Sequence, residues 1–164
     1  MRPGTAAILS LVASAAACGG GDGRGGVAFT QVEVQAYLER EVARTLPDLS
    51  VGAATCPTEL PDEAGGAATC TVAVGGALLH YEVQRLVGGR FEARPQRPIA
   101  LVRDIAAAVR TKLGAPGAQV ECGGSAVVQP APDQPLTCRI TGNGPPRTAA
   151  VAVGPDGAII VTDT

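Results

Sequence analysis

Few side chains in this chain can do chemistry, and the cysteines lead them: Cys18, Cys56, Cys70, Cys122 and Cys138. Thiols bind metals, exchange electrons or crosslink a fold. Structural zinc favours C-x2-4-C hooks and redox dithiols favour C-x-x-C, and neither spacing occurs here. The cysteines beyond Cys18 therefore read as structural crosslinks, provided the chain is exported to a compartment where thiols oxidise. Four such cysteines allow three connectivities.

Other candidates are weaker. His80 is the only histidine. Strand alternation puts it on the face opposite Tyr81, without a nucleophile or acid beside it. Ser50 and Ser125 are the only serines after the first 20 residues, and Gly-Gly-Ser-Ala around Ser125 lacks the G-x-S-x-G elbow. Glu59, Asp62 and Glu63 cluster without the spaced ligand series of a calcium loop, and read as a solvated segment. No G-x-x-x-x-G-K-[ST] phosphate loop is present. The chain thus reads as a non-enzyme with no metal and no cofactor. Arg85, Arg90, Arg94, Arg97 and Arg103 gather near the middle of the sequence and are the candidate partner contacts, for anionic lipid or a cell-envelope protein or polymer. Glu82, Glu92 and Asp104 interleave with them, as on a mixed solvated surface. A net charge of −2 argues against nucleic acid as a partner, because phosphate binding needs a basic face.

The elements that must position these residues begin with the address. Arg2 supplies a positive start, and Ala6 to Ala17 is an apolar run too short to span a bilayer. Ala15-Ala16-Ala17-Cys18-Gly19 resembles the cleavage box of bacterial lipoprotein signals, with Ala15 where that box usually carries leucine. The resemblance implies a signal over residues 1–17 and Cys18 as the lipidated first residue of the mature protein. It places the chain on the outer, extracytoplasmic face of the cell membrane, held by acyl chains rather than by a helix. Residues 18–28 then form the anchor and a glycine-rich tether, whose root-mean-square reach is roughly 17 Å from Gly19 to Ala28.

With one cysteine assigned to the anchor, the others fall into a repeat. Cys56 and Cys122 are 66 residues apart, and Cys70 and Cys138 are 68 apart, a period near 67. The expected units are 29–97 and 98–164, each closed by its own disulfide, Cys56–Cys70 and Cys122–Cys138. Each bridge closes a loop of about 15 residues, worth roughly 3 kcal/mol in the loop-entropy view. With 2% aromatic residues and no tryptophan, the core must come from small aliphatics, so such staples matter.

Each unit reads as a helix followed by about four strands. In the first, Thr30 and Glu33 form a capping box, with Phe29 and Val34 as a hydrophobic staple. Val34, Tyr37, Leu38, Val42 and Leu46 make the apolar stripe, and Pro47 stops the helix. Ser50 to Cys56, Ala68 to Val74, Leu79 to Val83 and Arg90 to Arg94 read as strands, with turns at Gly75-Gly76 and Gly88-Gly89. In the second, Pro98 suits a first helical turn and Leu101, Val102, Ile105, Val109 and Leu113 make the stripe up to Gly114. Gln119 to Cys122, Leu136 to Thr141, Ala149 to Val153 and Ile159 to Val161 read as strands. The fold class expected is α+β, two tandem units, each a helix packed on an antiparallel sheet.

Cys56-Pro57-Thr58-Glu59-Leu60, Gly65-Gly66, Thr69-Cys70-Thr71-Val72, Gly75-Gly76 and Tyr81-Glu82-Val83 together resemble an actinobacterial lipoprotein family, domain of unknown function 4333. The resemblance covers the first unit. The second is a poorer match, since Gly123 follows Cys122 where the pattern has proline. It implies an exported lipoprotein and names no activity. The functional expectation is a membrane-tethered, non-enzymatic binding or scaffolding module, with a concave surface between the units as the place for a ligand. The rivals are an envelope enzyme or enzyme inhibitor using loop residues, and a purely structural surface lipoprotein.

Overall fold

The computed structural model describes residues 30–59, 63–131, 133–142 and 144–163. The signal, Cys18, the tether, Phe29 and Asp62 lie outside the described residues.

Local chemistry builds the first half. Helix α1 (Gln31–Thr45) starts at Thr30, whose hydroxyl accepts from the Glu33 N–H while the Glu33 carboxylate accepts from the Thr30 N–H at 2.8 Å. The Glu33 N–H also reaches the Thr30 carbonyl at 3.1 Å, so the box adds a second acceptor there and pairs the Thr30 N–H. The stripe buries Val34, Leu38 and Val42, with Tyr37 and Leu46 partly covered. Strands β1 (Val51–Thr55), β2 (Ala67–Val74), β3 (Ala77–Arg85) and β4 (Phe91–Pro95) form an antiparallel sheet in that order. Alternation turns Cys70, Val72 and Val74 on β2, and Leu79, Tyr81 and Val83 on β3, toward the helix. The β2–β3 hairpin closes through Gly75 and Gly76 at φ +52° and +86°, the mirror-image turn whose twist suits a hairpin.

Helix α1 also seals the outer edge of β1. The Gln31 amide donates to the Cys56 carbonyl at 2.6 Å, and the Glu39 carboxylate accepts from the Ala54 N–H at 2.7 Å. An edge strand left open offers its backbone to other chains, and these two side chains engage it.

The chain continues through β5 (Ala100–Leu101), α2 (Val102–Lys112), β6 (Gln119–Glu121), β7 (Val127–Val128), β8 (Leu136–Gly142), β9 (Gly144–Val153) and β10 (Ile159–Asp163). Helix α2 buries Ile105, Ala106 and Val109. It ends in a Schellman motif: Gly114 at φ +61° donates to the Thr111 carbonyl, and Ala115 to the Arg110 carbonyl at 3.0 Å. The second sheet is antiparallel in the order β10-β9-β8-β6. Disulfide Cys56–Cys70 ties the end of β1 to β2, and Cys122–Cys138 ties the end of β6 to β8. All four cysteines are buried. The fold is therefore α+β, with two helices, antiparallel sheets and two disulfides among the described residues.

The two four-stranded sheets do not join edge to edge. Between them runs a ribbon, β5 paired with β7, Ala100 opposite Val128 and Leu101 opposite Val127. Its alternation splits the ribbon between two cores. Val127 is fully buried with Leu38, Leu79 and Tyr81, and Ile99 and Leu101 pack on that same first core. Ala100 is buried with Ile105 and Val109 in the second core, where Val128 also packs.

This ribbon corrects two expectations. Pro98 does not occupy the first turn of α2, which starts at Val102 with Leu101 as its cap. Leu101 does not belong to the stripe of α2, because β7 captures it into the ribbon and turns it toward the first core. Val127, from beyond residue 97, completes the first core.

Candidate functional site

The junction is held by hydrogen bonds across the halves and within the second. Ala126 N–H donates to the Gly75 carbonyl at 2.8 Å, the Ser125 hydroxyl to the Gly76 carbonyl at 3.2 Å, and Val102 N–H to the Ala126 carbonyl at 3.0 Å. Gly75 is thus held by its dihedral angle and by its neighbour: a Cβ there would stand 3.1 Å from the Ala126 Cβ. Just beyond the ribbon, the Gln129 side chain acts as a substitute strand. Its carbonyl oxygen accepts from the His80 N–H at 2.7 Å, and its amide donates to the His80 carbonyl at 2.9 Å and the Arg97 carbonyl at 3.1 Å. An amide group matches the donor–acceptor pair of a peptide, so it extends the β3 ladder past the end of β4.

Beside this junction the apolar surface is left concave. One cavity of about 260 Å³ lies between the end of α1, the start of α2 and the Ser125-Ala126 segment. A second, of about 410 Å³, lies between the same end of α1, Tyr81 and the β4–β5 connection. Thr45, Leu46 and Leu101 line both, so the two are chambers of one groove. Leu46, Leu49, Ile99, Leu101 and Val102 are all only partly buried there. Ligand sites of this size and apolar character are common among small-molecule binders.

Charge at the groove is balanced. Glu41 pairs with Arg44 one helical turn on, and that hydrogen bond holds the Glu41 carboxyl below its ordinary range. Asp48 pairs with Arg103 at 3.2 Å at the mouth, where both side chains are exposed. Burial, and then the Glu41 carboxylate, push the Tyr81 phenol above its ordinary value. Tyr37, stacked at a tilt 5.6 Å from Phe91, is raised by the same two causes.

The residues singled out in the sequence do not converge. Arg85 and Arg90 flank the Gly88-Gly89 turn at the far end of the β3–β4 hairpin. Arg94 pairs with Glu92 at 2.9 Å. Arg97 follows β4, and only Arg103 lines the groove. Their nearness in sequence is not a patch, because a hairpin sends its turn and its ends apart by about 3.3 Å per residue. Glu59 and Glu63 are exposed. The Ser125 hydroxyl is engaged by a carbonyl, and the His80 backbone by Gln129. Among the described residues no group of three His, Cys, Asp or Glu side chains could hold a metal. No described helix is long and apolar enough to cross a membrane.

Sequence reasoning missed Gln129 and Val127. A trace was present in Val127-Val128, a β-branched pair followed by a polar residue, but two residues carry no period. Comparison of the chain with family models, with curated proteins and with solved structures finds no match.

Proposed function

We propose that this chain is an extracytoplasmic lipoprotein, tethered to the cell membrane through Cys18, whose folded part is a non-enzymatic binding module with the junction groove as its binding face. The observation that carries the binding reading is the two-chambered groove itself, which leaves partly covered leucines concave to solvent beside a rigidly bonded junction. Charged groups at it are paired with each other, and no described nucleophile, base and acid stand together, so binding rather than chemistry is the use it suits. The tethered location rests on the resemblance of Ala15 to Gly19 to a lipoprotein box, and two buried disulfides suit an exported chain.

The same reading takes the halves as tandem units of one ancestral plan. Support comes from the cysteine period, from a helix ahead of each four-stranded sheet, and from bridges that tie corresponding strands. Kinship of the first unit with domain of unknown function 4333 rests on its motif alone.

The test has two arms. Metabolic labelling with a palmitate analogue should mark the wild-type chain and be lost, with membrane retention, in Cys18→Ala; retention of both would sink the tether. A photo-crosslinking residue placed at Thr45, inside the groove, should give an adduct in membrane preparations, while one at exposed Val87 should not. Equal or absent crosslinking at the two positions removes the groove as the binding face.

A further inference from the structure

The contact that joins the two halves has a plug and a socket. The plug is Ser125-Ala126-Val127, from the loop between Cys122 and Cys138. The socket lies beside the β2–β3 turn, where Ser125 and Ala126 bond to Gly76 and Gly75 and Val127 packs in the core with Leu79. The second half has the corresponding place. Cys70 stands opposite Tyr81 and Val72 opposite Leu79; in the same way Cys138 stands opposite Ala149 and Ile140 opposite Arg147. Arg147 therefore holds the register position of Leu79. Here a cavity of about 320 Å³ opens between the β8–β9 turn and the residues after α2, with Ala115, Ala118, Ile140 and Arg147 in its lining.

The two sockets differ in what they accept. Leu79 is fully buried, whereas Arg147 is exposed although strand alternation places it on the face of Ala149 and Val151. The Arg110 guanidinium stands beside it, donating to the Ala118 carbonyl at 2.9 Å. No described carboxylate pairs with Arg147. A plug for this socket must be acidic where the first is apolar. The loop between the other cysteine pair is acidic, with Glu59, Asp62 and Glu63. Glu59 is the third residue after Cys56, as Ser125 is the third after Cys122. Glu59 and Glu63 are exposed. That loop cannot serve its own chain. It enters β2 at Ala67, while the second half is held at Gly75, past the other end of this 8-residue strand. The two ends stand about 25 Å apart.

We infer that copies of this chain associate head to tail, the acidic loop of one entering the Arg147 socket of the next. The contact repeats between copies the one that joins the halves within a copy. Plug and socket are different surfaces, so the contact is heterologous and passes from copy to copy. It rests on the correspondence of the halves proposed above, and not on the groove.

One loop in one cavity is a small interface, so the contact is weak and is best captured covalently in whole cells producing the full chain. A photo-crosslinking residue replaces Pro145, which is exposed at the socket. Irradiation should give a product of twice the chain mass, with position 145 joined to the peptide that carries Glu59 and Glu63. Arg147→Glu should lower its yield at least tenfold, and so should Glu59→Arg together with Glu63→Arg. All three changes in one chain again set opposite charges against each other between copies, and should restore the product, which a misfolded chain could not do. All three positions are exposed, and non-reducing electrophoresis checks that both disulfides form. The inference is overturned by no product, a product joined elsewhere or to another protein, a yield indifferent to the reversals, or a triple reversal that fails to recover it. A Thr45 adduct that persists without the Pro145 product removes the head-to-tail contact and leaves the groove as the binding face. Loss of both removes both.

Discussion

Val127→Ala tests whether the two halves fold as one body. Val127 is fully buried and lies in the first core, although the sequence places it in the second half. The substitution removes two methyl groups, at about 0.8 kcal/mol each by transfer, and the unfilled space adds a cavity cost. The expected loss is about 2 to 3 kcal/mol. The protein supplies a selective reporter. It has two tyrosines and no tryptophan, and Tyr37 and Tyr81 both belong to the first core. Tyrosine emission therefore reports the first half alone, while far-ultraviolet circular dichroism reports both halves. In urea, wild-type transitions followed by the two probes should coincide. With a slope of about 2 kcal/mol per molar, Val127→Ala should move both midpoints down together by roughly 1 M or slightly more. A tyrosine transition that ignores the substitution, while circular dichroism shows a separate earlier step, would refute the shared-core reasoning.

Three further outcomes follow from the junction and the groove. Gly75→Ala and Gly88→Ala both force alanine to positive φ, at about 1 to 2 kcal/mol; only Gly75 also meets Ala126, so thermal denaturation should show the larger loss there. Gln129→Glu keeps an acceptor for the His80 N–H but turns a carboxylate toward the His80 and Arg97 carbonyls, at a cost of about 1 to 3 kcal/mol near neutral pH. Facing carbonyls raise the folded-state value of that carboxyl and protonation restores a donor, so the deficit against wild type should shrink as pH falls toward the ordinary glutamate value of about 4.3; a deficit flat with pH in urea titrations would contradict it. Tyr37 and Tyr81 hold folded-state values above their ordinary 10.0, so the stability they contribute is full below that pH and lost as pH rises through the folded values. Phenolate absorbance should therefore lag free tyrosine and rise with alkaline unfolding; titration at the free-tyrosine pH in the folded protein would count against their burial.

The sequence carried what is local. Thr30 and Glu33 are three residues apart and bond each other, so the cap was legible. The stripe of α1 and the alternation of β2 and β3 are periodic over enough residues to show their buried faces, and Gly75-Gly76 marks its own turn. The disulfide pairing, Cys56–Cys70 and Cys122–Cys138, followed from the cysteine period. The arginines misled for the opposite reason: nearness along a hairpin is not nearness in space, and Arg85 and Arg97 end at opposite ends of one.

The junction was hidden because its strands are two residues long and its partners distant. Ile99-Ala100-Leu101 reads equally well as the approach to a helix, and only pairing with β7 sends Leu101 to one core and Ala100 to the other. The groove has the same origin. Each helix covers its own sheet, and the ribbon between them is too short to cover the end of α1 as well. Leu46 and Leu101 are consequently left half covered where the two helix-on-sheet bodies meet. In sequence both leucines sit on regular apolar stripes, indistinguishable from Leu38 or Val109, which are fully buried. A position on the stripe specifies which way a side chain points. Whether anything arrives to cover it depends on how many residues the neighbouring strand contributes, and here that number runs out at the groove.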